Sequence, residues 1–389
     1  MCGIAGLFVF NGRRGTAGVI RDMTSTLRHR GPDGESIWVD DDNGIYLGHR
    51  RLAIVDLSEA GQQPMRSSCG RFVITYNGEV YNAGELRREL EQKGRKFRGH
   101  CDTEVIVEGC AEWGVEAAVK RLIGMFAIGI WDRKQHKLSL VRDRLGIKPL
   151  YWSLHDGILM FGSELKALTA NPAFDRTIDR NAVVSYLRHN YIPAPKTIYQ
   201  NARKLEPGWI LTKSVSGPHN LKPYWRLEDG VAAGQSTPFE GTDEDAIDQL
   251  DALLGDAVSR HMISDVPLGA FLSGGIDSST VIALMQKVSA RPVKTFSIGF
   301  DVEGFDEAKH AATVARHVGT DHTELYVTAD QAIDVIPKLA SVYDEPFADS
   351  SQIPTYLVSA LAREHVTVSL SGDGGDELFS GYTRDGAGG

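Results

Sequence analysis

Val266-Pro267-Leu268-Gly269-Ala270-Phe271-Leu272-Ser273-Gly274-Gly275-Ile276-Asp277-Ser278-Ser279 decides the fold of the carboxyl half of this 389-residue chain. Val266 to Leu272 reads as a buried strand, Ser273 to Ser279 as a glycine-rich loop, and Thr280 to Val288 as a helix with apolar residues at 281, 282, 284, 285 and 288. A strand, a glycine loop and a helix N-terminus make an anion cradle, because glycines let backbone N–H groups approach an oxyanion and serines add donors. No G-x-x-x-x-G-K-[ST] string is present, so the loop is not a Walker A loop.

Outward from this loop, Ala246, Ile247, Leu250, Leu253, Leu254, Ala257 and Val258 mark a helical face, and strands near 267–272, 293–300, 322–327 and 366–371 alternate with helical segments. That alternation predicts a doubly wound parallel α/β sheet. Upstream, short β-rich runs such as 45–47, 72–76, 138–141 and 159–161 dominate to about residue 170. Helical spacing interrupts them near 18–28, 84–93 and 103–113, which predicts α+β layers on antiparallel sheet. From about 195 to 243 the chain is rich in Pro, Gly, Ser and Thr, the look of a last hairpin and a linker. The expected domains are therefore 1–235 and 242–389, with the boundary near 235–242. The final Thr-Arg-Asp-Gly-Ala-Gly-Gly suits neither helix nor sheet.

The length suits two domains, perhaps three. A net charge of −9 with 42% hydrophobic and 24% charged residues is a soluble globular profile without the diffuse basic field of a nucleic-acid or anionic-membrane binder. The longest mainly apolar run, Leu122 to Trp131, is far short of the roughly 20 residues a spanning helix needs, and the amino end lacks a secretory pattern. A cytoplasmic protein is expected, and self-association as a homodimer stays open. Of four cysteines none forms a C-x-x-C pair, and Cys69, Cys101 and Cys110 are read as structural.

Cys2 differs. With Met1 removed, its thiol lies beside its own α-amine, whose reference pKa of about 7.7–8.0 suits a general base. In Thr75-Tyr76-Asn77-Gly78-Glu79-Val80-Tyr81-Asn82 the Asn77-Gly78 pair is either a hairpin turn or a donor pair aimed at a developing oxyanion.

Six ordered segments then carry a resemblance: Met1-Cys2-Gly3-Ile4-Ala5-Gly6, Arg30-Gly31-Pro32-Asp33-Gly34, Arg51-Leu52-Ala53-Ile54-Val55-Asp56, Asn77 to Asn82, Cys101-Asp102-Thr103-Glu104, and Arg142-Asp143-Arg144-Leu145-Gly146-Ile147-Lys148-Pro149-Leu150. Together they resemble the class II glutamine amidotransferase domain of glutamine-hydrolysing asparagine synthetases. The resemblance implies an N-terminal-nucleophile sandwich of αββα layers in which Cys2, with Asn77 and Gly78, attacks glutamine, forms a thioester and releases ammonia. It also implies that Arg51, with Leu52, Ala53, Ile54 and Val55, holds the glutamine carboxylate end, and that Glu79 and Asp102 receive its ammonium beside Asn77 and Gly78. His29 and Arg30 are expected to order the 31–34 turn.

The Ser-Gly-Gly-Ile-Asp-Ser-Ser string likewise resembles the loop of enzymes that cleave ATP to AMP and pyrophosphate. This implies ATP at Leu272, Ser273, Gly274, Gly275, Asp277, Ser278, Ile298, Ser371 and Gly372, Mg²⁺ at Asp277 and Asp376, and Asp373, glutamate in other members, near an acyl-adenylate. Asp344 to Ser351 is expected to border an aspartate pocket. The implied reaction makes asparagine from aspartate, ATP and glutamine-derived ammonia through β-aspartyl-AMP. Alternatives are an amidotransferase for another carboxylate, or a chain limited to glutaminase or glutamine-binding activity. Members of that family continue well past the Ser-Gly-Asp-Gly-Gly-Asp-Glu segment, so the synthetase domain is expected to be incomplete at its C-terminus and weak alone.

Overall fold

The computed structural model describes residues 1–10, 12, 17–300, 307–379 and 381. The final seven residues, read above as neither helix nor sheet, lie outside them. Two compact units emerge, one of Met1–Pro238 with Tyr343–Ala348, the other of Phe239–Val342 with the chain from Asp349 onward.

The first unit is a four-layer sandwich. One six-stranded sheet has the order β10-β8-β9-β1-β3-β2, from β1 (Gly3–Val9), β2 (Gly34–Asp40), β3 (Ile45–Arg51), β8 (Tyr151–His155), β9 (Ile158–Gly162) and β10 (Arg203–Lys204). The other has the order β12-β11-β7-β6-β5-β4, from β4 (Met65–Arg66), β5 (Phe72–Val80), β6 (Gly124–Asp132), β7 (Lys137–Arg142), β11 (Trp209–Ser214) and β12 (Asn220–Pro223). All their pairings are antiparallel.

Period-two alternation builds the layers. On β1, Ile4 and Phe8 join Val73, Trp131, Leu140 and Leu211 between the sheets. Ala5, Leu7 and Val9 point the other way, onto α1 (Ala17–Ser25), α5 (Leu165–Thr169) and α6 (Arg180–His189). On β5, Val73 faces the inter-sheet core, whereas Phe72, Ile74 and Tyr76 pack with α2 (Ala83–Gln92), α3 (Asp102–Trp113) and α4 (Val115–Arg121). The result is helices, sheet, sheet, helices, the αββα arrangement of an N-terminal-nucleophile sandwich.

The three helices expected near 18–28, 84–93 and 103–113 form as α1, α2 and α3. The stretch read as linker contains a further exposed helix, α7 (Leu227–Ser236), with Glu228 and Asp229 in its first turn.

The second unit holds one parallel sheet of order β15-β14-β13-β16, from β13 (Leu268–Phe271), β14 (Lys294–Phe300), β15 (Asp321–Val327) and β16 (Val368–Leu370). These match the four strands read from the alternation. Its helices are α8 (Asp243–His261), α9 (Ile276–Val288), α10 (Ala308–Val318), α11 (Ala329–Ile333), α12 (Ile336–Val342), α13 (Gln352–Arg363) and α14 (Gly375–Phe379). Strand order reverses between β13 and β16, so the crevice outside their carboxyl ends is the switch point where doubly wound sheets bind ligands. Among the described residues no helix is long and apolar enough to cross a membrane.

Candidate functional site

Cys2 stands one residue before β1, so the sheet fixes the chain immediately behind it. Leu52 N–H donates to its Sγ at 3.4 Å and the thiol faces the Leu52 carbonyl at 3.6 Å. Arg30 Nε donates to the Cys2 carbonyl at 3.0 Å, and Arg30 Nη1 reaches Glu164 Oε1 at 2.8 Å. Arg30 therefore holds the backbone of Cys2 rather than only ordering the 31–34 turn. That turn is tied instead by Asp33, whose N–H donates to Arg51 O and whose carboxylate accepts from Ala53 N–H at 2.9 Å.

Asn77 and Gly78 do not form a hairpin turn. They lie within β5, opposite Ala127 and Phe126 of β6. Alternation places residue 77 on the same face as Val73 and Thr75, toward the other sheet, where Thr75 Oγ1 donates to Gly48 O. Asn77 is 1% exposed, and its Nδ2 has no hydrogen-bond partner among the described residues. A buried amide donor left unsatisfied is costly, and a donor kept waiting for an oxyanion is one of the few reasons to retain it.

Arg51 ends β3, and its guanidinium donates to the carbonyls of Ser58 (2.9 Å) and Asp56, closing the loop that carries Leu52, Ala53, Ile54 and Val55. Asp56 sits buried at φ 57° with its carboxylate taking the N–H groups of Ser58 and His100. The loop is thus shaped by its own polar groups.

Charge concentrates here. Burial pushes the Cys2 thiol up, which favours its protonated form. Burial, then the field of Asp102, raises the Glu79 carboxyl to about 7, against the pull of Lys148. Asp102, at the start of α3, is also raised by burial although it accepts from Tyr76 Oη at 2.6 Å and Val80 N–H at 3.0 Å. Lys148, 6% exposed, is lowered by burial while Glu79 pulls it back up. Cys2, Arg51, Glu79, Asp102 and Lys148 thus act on one another's charges, and the structure brings these distant parts of the sequence to one place.

In the second unit, Leu272 to Gly275 links β13 to α9, so Ile276 to Ser279, expected as loop, are instead the first turn of the helix; Gly275 is its N-cap and Gly274 sits at φ 82°, a left-handed conformation that glycine adopts without strain. The loop is braced from within: Ser278 Oγ contacts Ser273 Oγ at 2.9 Å and Gly275 N–H donates to Ser273 Oγ at 3.2 Å. The segment after β16 comes against it, since a side-chain carbon on Gly372 would fall 2.8 Å from Ser278 N and one on Gly375 2.4 Å from Asp277 Oδ2. That sets Asp277 beside the residue preceding Asp376. Ser371 Oγ donates to Asp373 Oδ2 at 3.0 Å.

A cavity of about 440 Å³ opens next to the loop, lined by Leu272, Ser273 and Ile298 with Phe271, Phe296, Phe300, Pro354 and Val358. Gly274, Gly275, Asp277, Ser278, Ser371 and Gly372 lie outside its lining. Ser350 and Ser351, expected near an aspartate pocket, line this same cavity. Asp344 and Glu345 instead belong to the first unit, where they pair with Lys166 and Lys204.

Lys148 lies within Arg142 to Leu150, yet nothing in that segment's pattern marks it for a role. The sequence does not single out Glu164, Lys166 or Phe271, whose importance arises from contacts no local pattern announces.

The chain matches the family described as glutamine amidotransferase domain over residues 1–225 and the family described as asparagine synthase over residues 249–388. It is similar to asparagine synthetase [glutamine-hydrolyzing] 1 of Bacillus subtilis, at 37% identity over 98% of this chain and 59% of that protein. It is similar also to putative asparagine synthetase [glutamine-hydrolyzing] 2 of Methanocaldococcus jannaschii, at 39% identity over 98% of this chain and 76% of that protein. Among solved structures it is similar to a glutamine phosphoribosylpyrophosphate amidotransferase from B. subtilis, at 17% identity and a TM-score of 0.45 over 83% of this chain and 65% of the other. This chain spans about three fifths of the length of the B. subtilis synthetase. With both halves matched in order, the chain belongs to the family of glutamine-hydrolysing asparagine synthetases.

Proposed function

We propose that the protein hydrolyses glutamine at Cys2 and uses the ammonia, with ATP, to convert aspartate into asparagine. The observation that carries the first half is the buried, unpartnered Asn77 amide on the strand that also bears Glu79. Once Met1 is removed, the Cys2 α-amine takes the thiol proton and the sulfur attacks the glutamine amide carbon. Asn77 Nδ2 and Gly78 N–H stabilise the oxyanion. Collapse returns the proton to nitrogen, which leaves as ammonia, and water hydrolyses the γ-glutamyl thioester. Arg51 matches a carboxylate by its planar fork, and Glu79 and Asp102 match an ammonium.

In the second unit the apolar cavity suits a nucleobase, and the glycine loop with the start of α9 suits its phosphates. The aspartate carboxylate attacks the α-phosphorus, pyrophosphate leaves, and ammonia displaces AMP from the acyl-adenylate, with Asp373 beside it. Among the described residues no three of His, Cys, Asp and Glu converge as a metal cluster, but Mg²⁺ usually takes one or two carboxylates plus phosphate oxygens and water. Asp277 and Asp376 fit that donor set, and the ion would neutralise polyphosphate charge.

Glutamate release and aspartate-dependent AMP formation, measured separately, test the reading. Cys2→Ala should abolish glutamate release while leaving AMP and asparagine formation from added ammonia. An intact mass that retains Met1, or glutamine hydrolysis surviving in the variant, would contradict it.

A further inference from the structure

Four side chains run in file from a late segment of the sequence to the nucleophile. Asp344 accepts from Lys166 N–H at 2.9 Å through Oδ2 and pairs with Lys166 Nζ at 3.1 Å through Oδ1. The same Nζ lies 2.7 Å from Glu164 Oε2. Glu164 Oε1 is 2.8 Å from Arg30 Nη1 and 3.0 Å from His29 Nε2, and Arg30 Nε donates to the Cys2 carbonyl at 3.0 Å. The side chains of Asp344, Lys166, Glu164 and Arg30 are 11%, 24%, 13% and 9% exposed. Water therefore screens them less than a surface pair, and each contact depends on the one before it.

The far end of this file is firmly seated. Glu345 pairs with Lys204 and accepts from Ile198 N–H at 3.2 Å, and Ala348 N–H donates to Asn190 O at 2.8 Å. The near end is seated too, because Ser163, adjacent to Glu164, exchanges hydrogen bonds with both the N–H and the carbonyl of Ile4, two residues beyond Cys2.

We infer that Asp344 is a positioning residue for Cys2: by holding Lys166 on one oxygen of Glu164, it aims the other oxygen at Arg30 and so sets the direction of the Cys2 carbonyl. The physical ground is that Lys166 is shared by two carboxylates. Without the Asp344 charge its ammonium shifts wholly to Glu164, the carboxylate turns, and the guanidinium loses the acid that orients it together with the Cys2 carbonyl. A shift of about 1 Å in a reacting group can cost up to about 100-fold in rate. The inference rests on the reading of Cys2 as the glutaminase nucleophile.

The test uses the full chain and the charge-removing variants Asp344→Asn and Lys166→Gln. Each is expected to lower kcat for glutamine hydrolysis by about tenfold with KM changed less than about twofold. Each should also slow iodoacetamide labelling of the Cys2 peptide, read by mass spectrometry. The double variant should lose no more than either single one, because the two act through one path. Asp344→Glu, which keeps the charge, should recover most of the rate, and Glu116→Gln, which breaks the ion pairs with Lys120 and Lys222 elsewhere in this unit, should change nothing. Wild-type kcat in Asp344→Asn, losses that multiply in the double variant, or a rise in KM alone would overturn the inference. If the unaltered chain hydrolyses no glutamine, the functional reading fails, and Cys2 labelling in the variants still decides this one.

Discussion

Glu79 shows how one carboxyl links burial to function. Its pKa of about 7 in the folded chain lies above the ordinary 4.5. The neutral form is therefore favoured by folding, a contribution complete below pH 4.5 and lost as pH rises through 7. Glu79→Gln should be more stable than the parent above pH 7 by on the order of 2–3 kcal/mol, with the gap closing toward pH 4, as urea denaturation at several pH values would show. On the proposed reading, in which ionised Glu79 receives the substrate ammonium, KM for glutamine should fall between pH 6 and pH 8 in the parent and not in the variant. At this scale the sequence was most informative: Cys2, Arg51, Asn77, Glu79 and Asp102 all stand in short recognisable segments. What it could not show is that Arg30 meets Glu164 across 134 residues, or that Lys166 meets Asp344 across 178, since such pairs are products of topology.

Strand β5 carries the lesson at the scale of elements. Asn-Gly between apolar runs is the strongest local signal for a hairpin, yet here the strand continues to Val80. The reason is steric. A side-chain carbon on Gly78 would lie 2.3 Å from Met125 O and 2.7 Å from Phe126 Cα, so glycine is there to let β6 approach, not to turn the chain. Gly78→Ala should force the strands apart, costing about 1–3 kcal/mol in chemical denaturation and weakening glutamine binding with it. The helices α1, α2 and α3 and all four parallel strands were legible because their apolar periods are clear. Helix α6 escaped notice even though Asp179 caps its start through the N–H of Asn181 and Asn190 ends it at φ 65°. Its start and stop signals are polar, and hydrophobic periodicity does not carry them.

For the molecule as a whole, alternation of element types separated a layered antiparallel half from a parallel one, and the two units follow that division except in one place. Six residues, Tyr343–Ala348, return to the first unit from far along the chain. No composition shift marks them, because acids that neutralise distant lysines look like any other surface acids until the partners are known. A gene cut after Pro238 would encode a lobe whose Lys166 and Lys204 have lost Asp344 and Glu345. Appending Tyr-Asp-Glu-Pro-Phe-Ala through a flexible tether should restore it, raising the melting temperature by about 2–4 °C for each kcal/mol regained. Anyone harvesting this lobe as a stand-alone catalyst, or splicing it to a foreign acceptor module, must therefore carry along a hexapeptide that ordinary boundary-drawing discards.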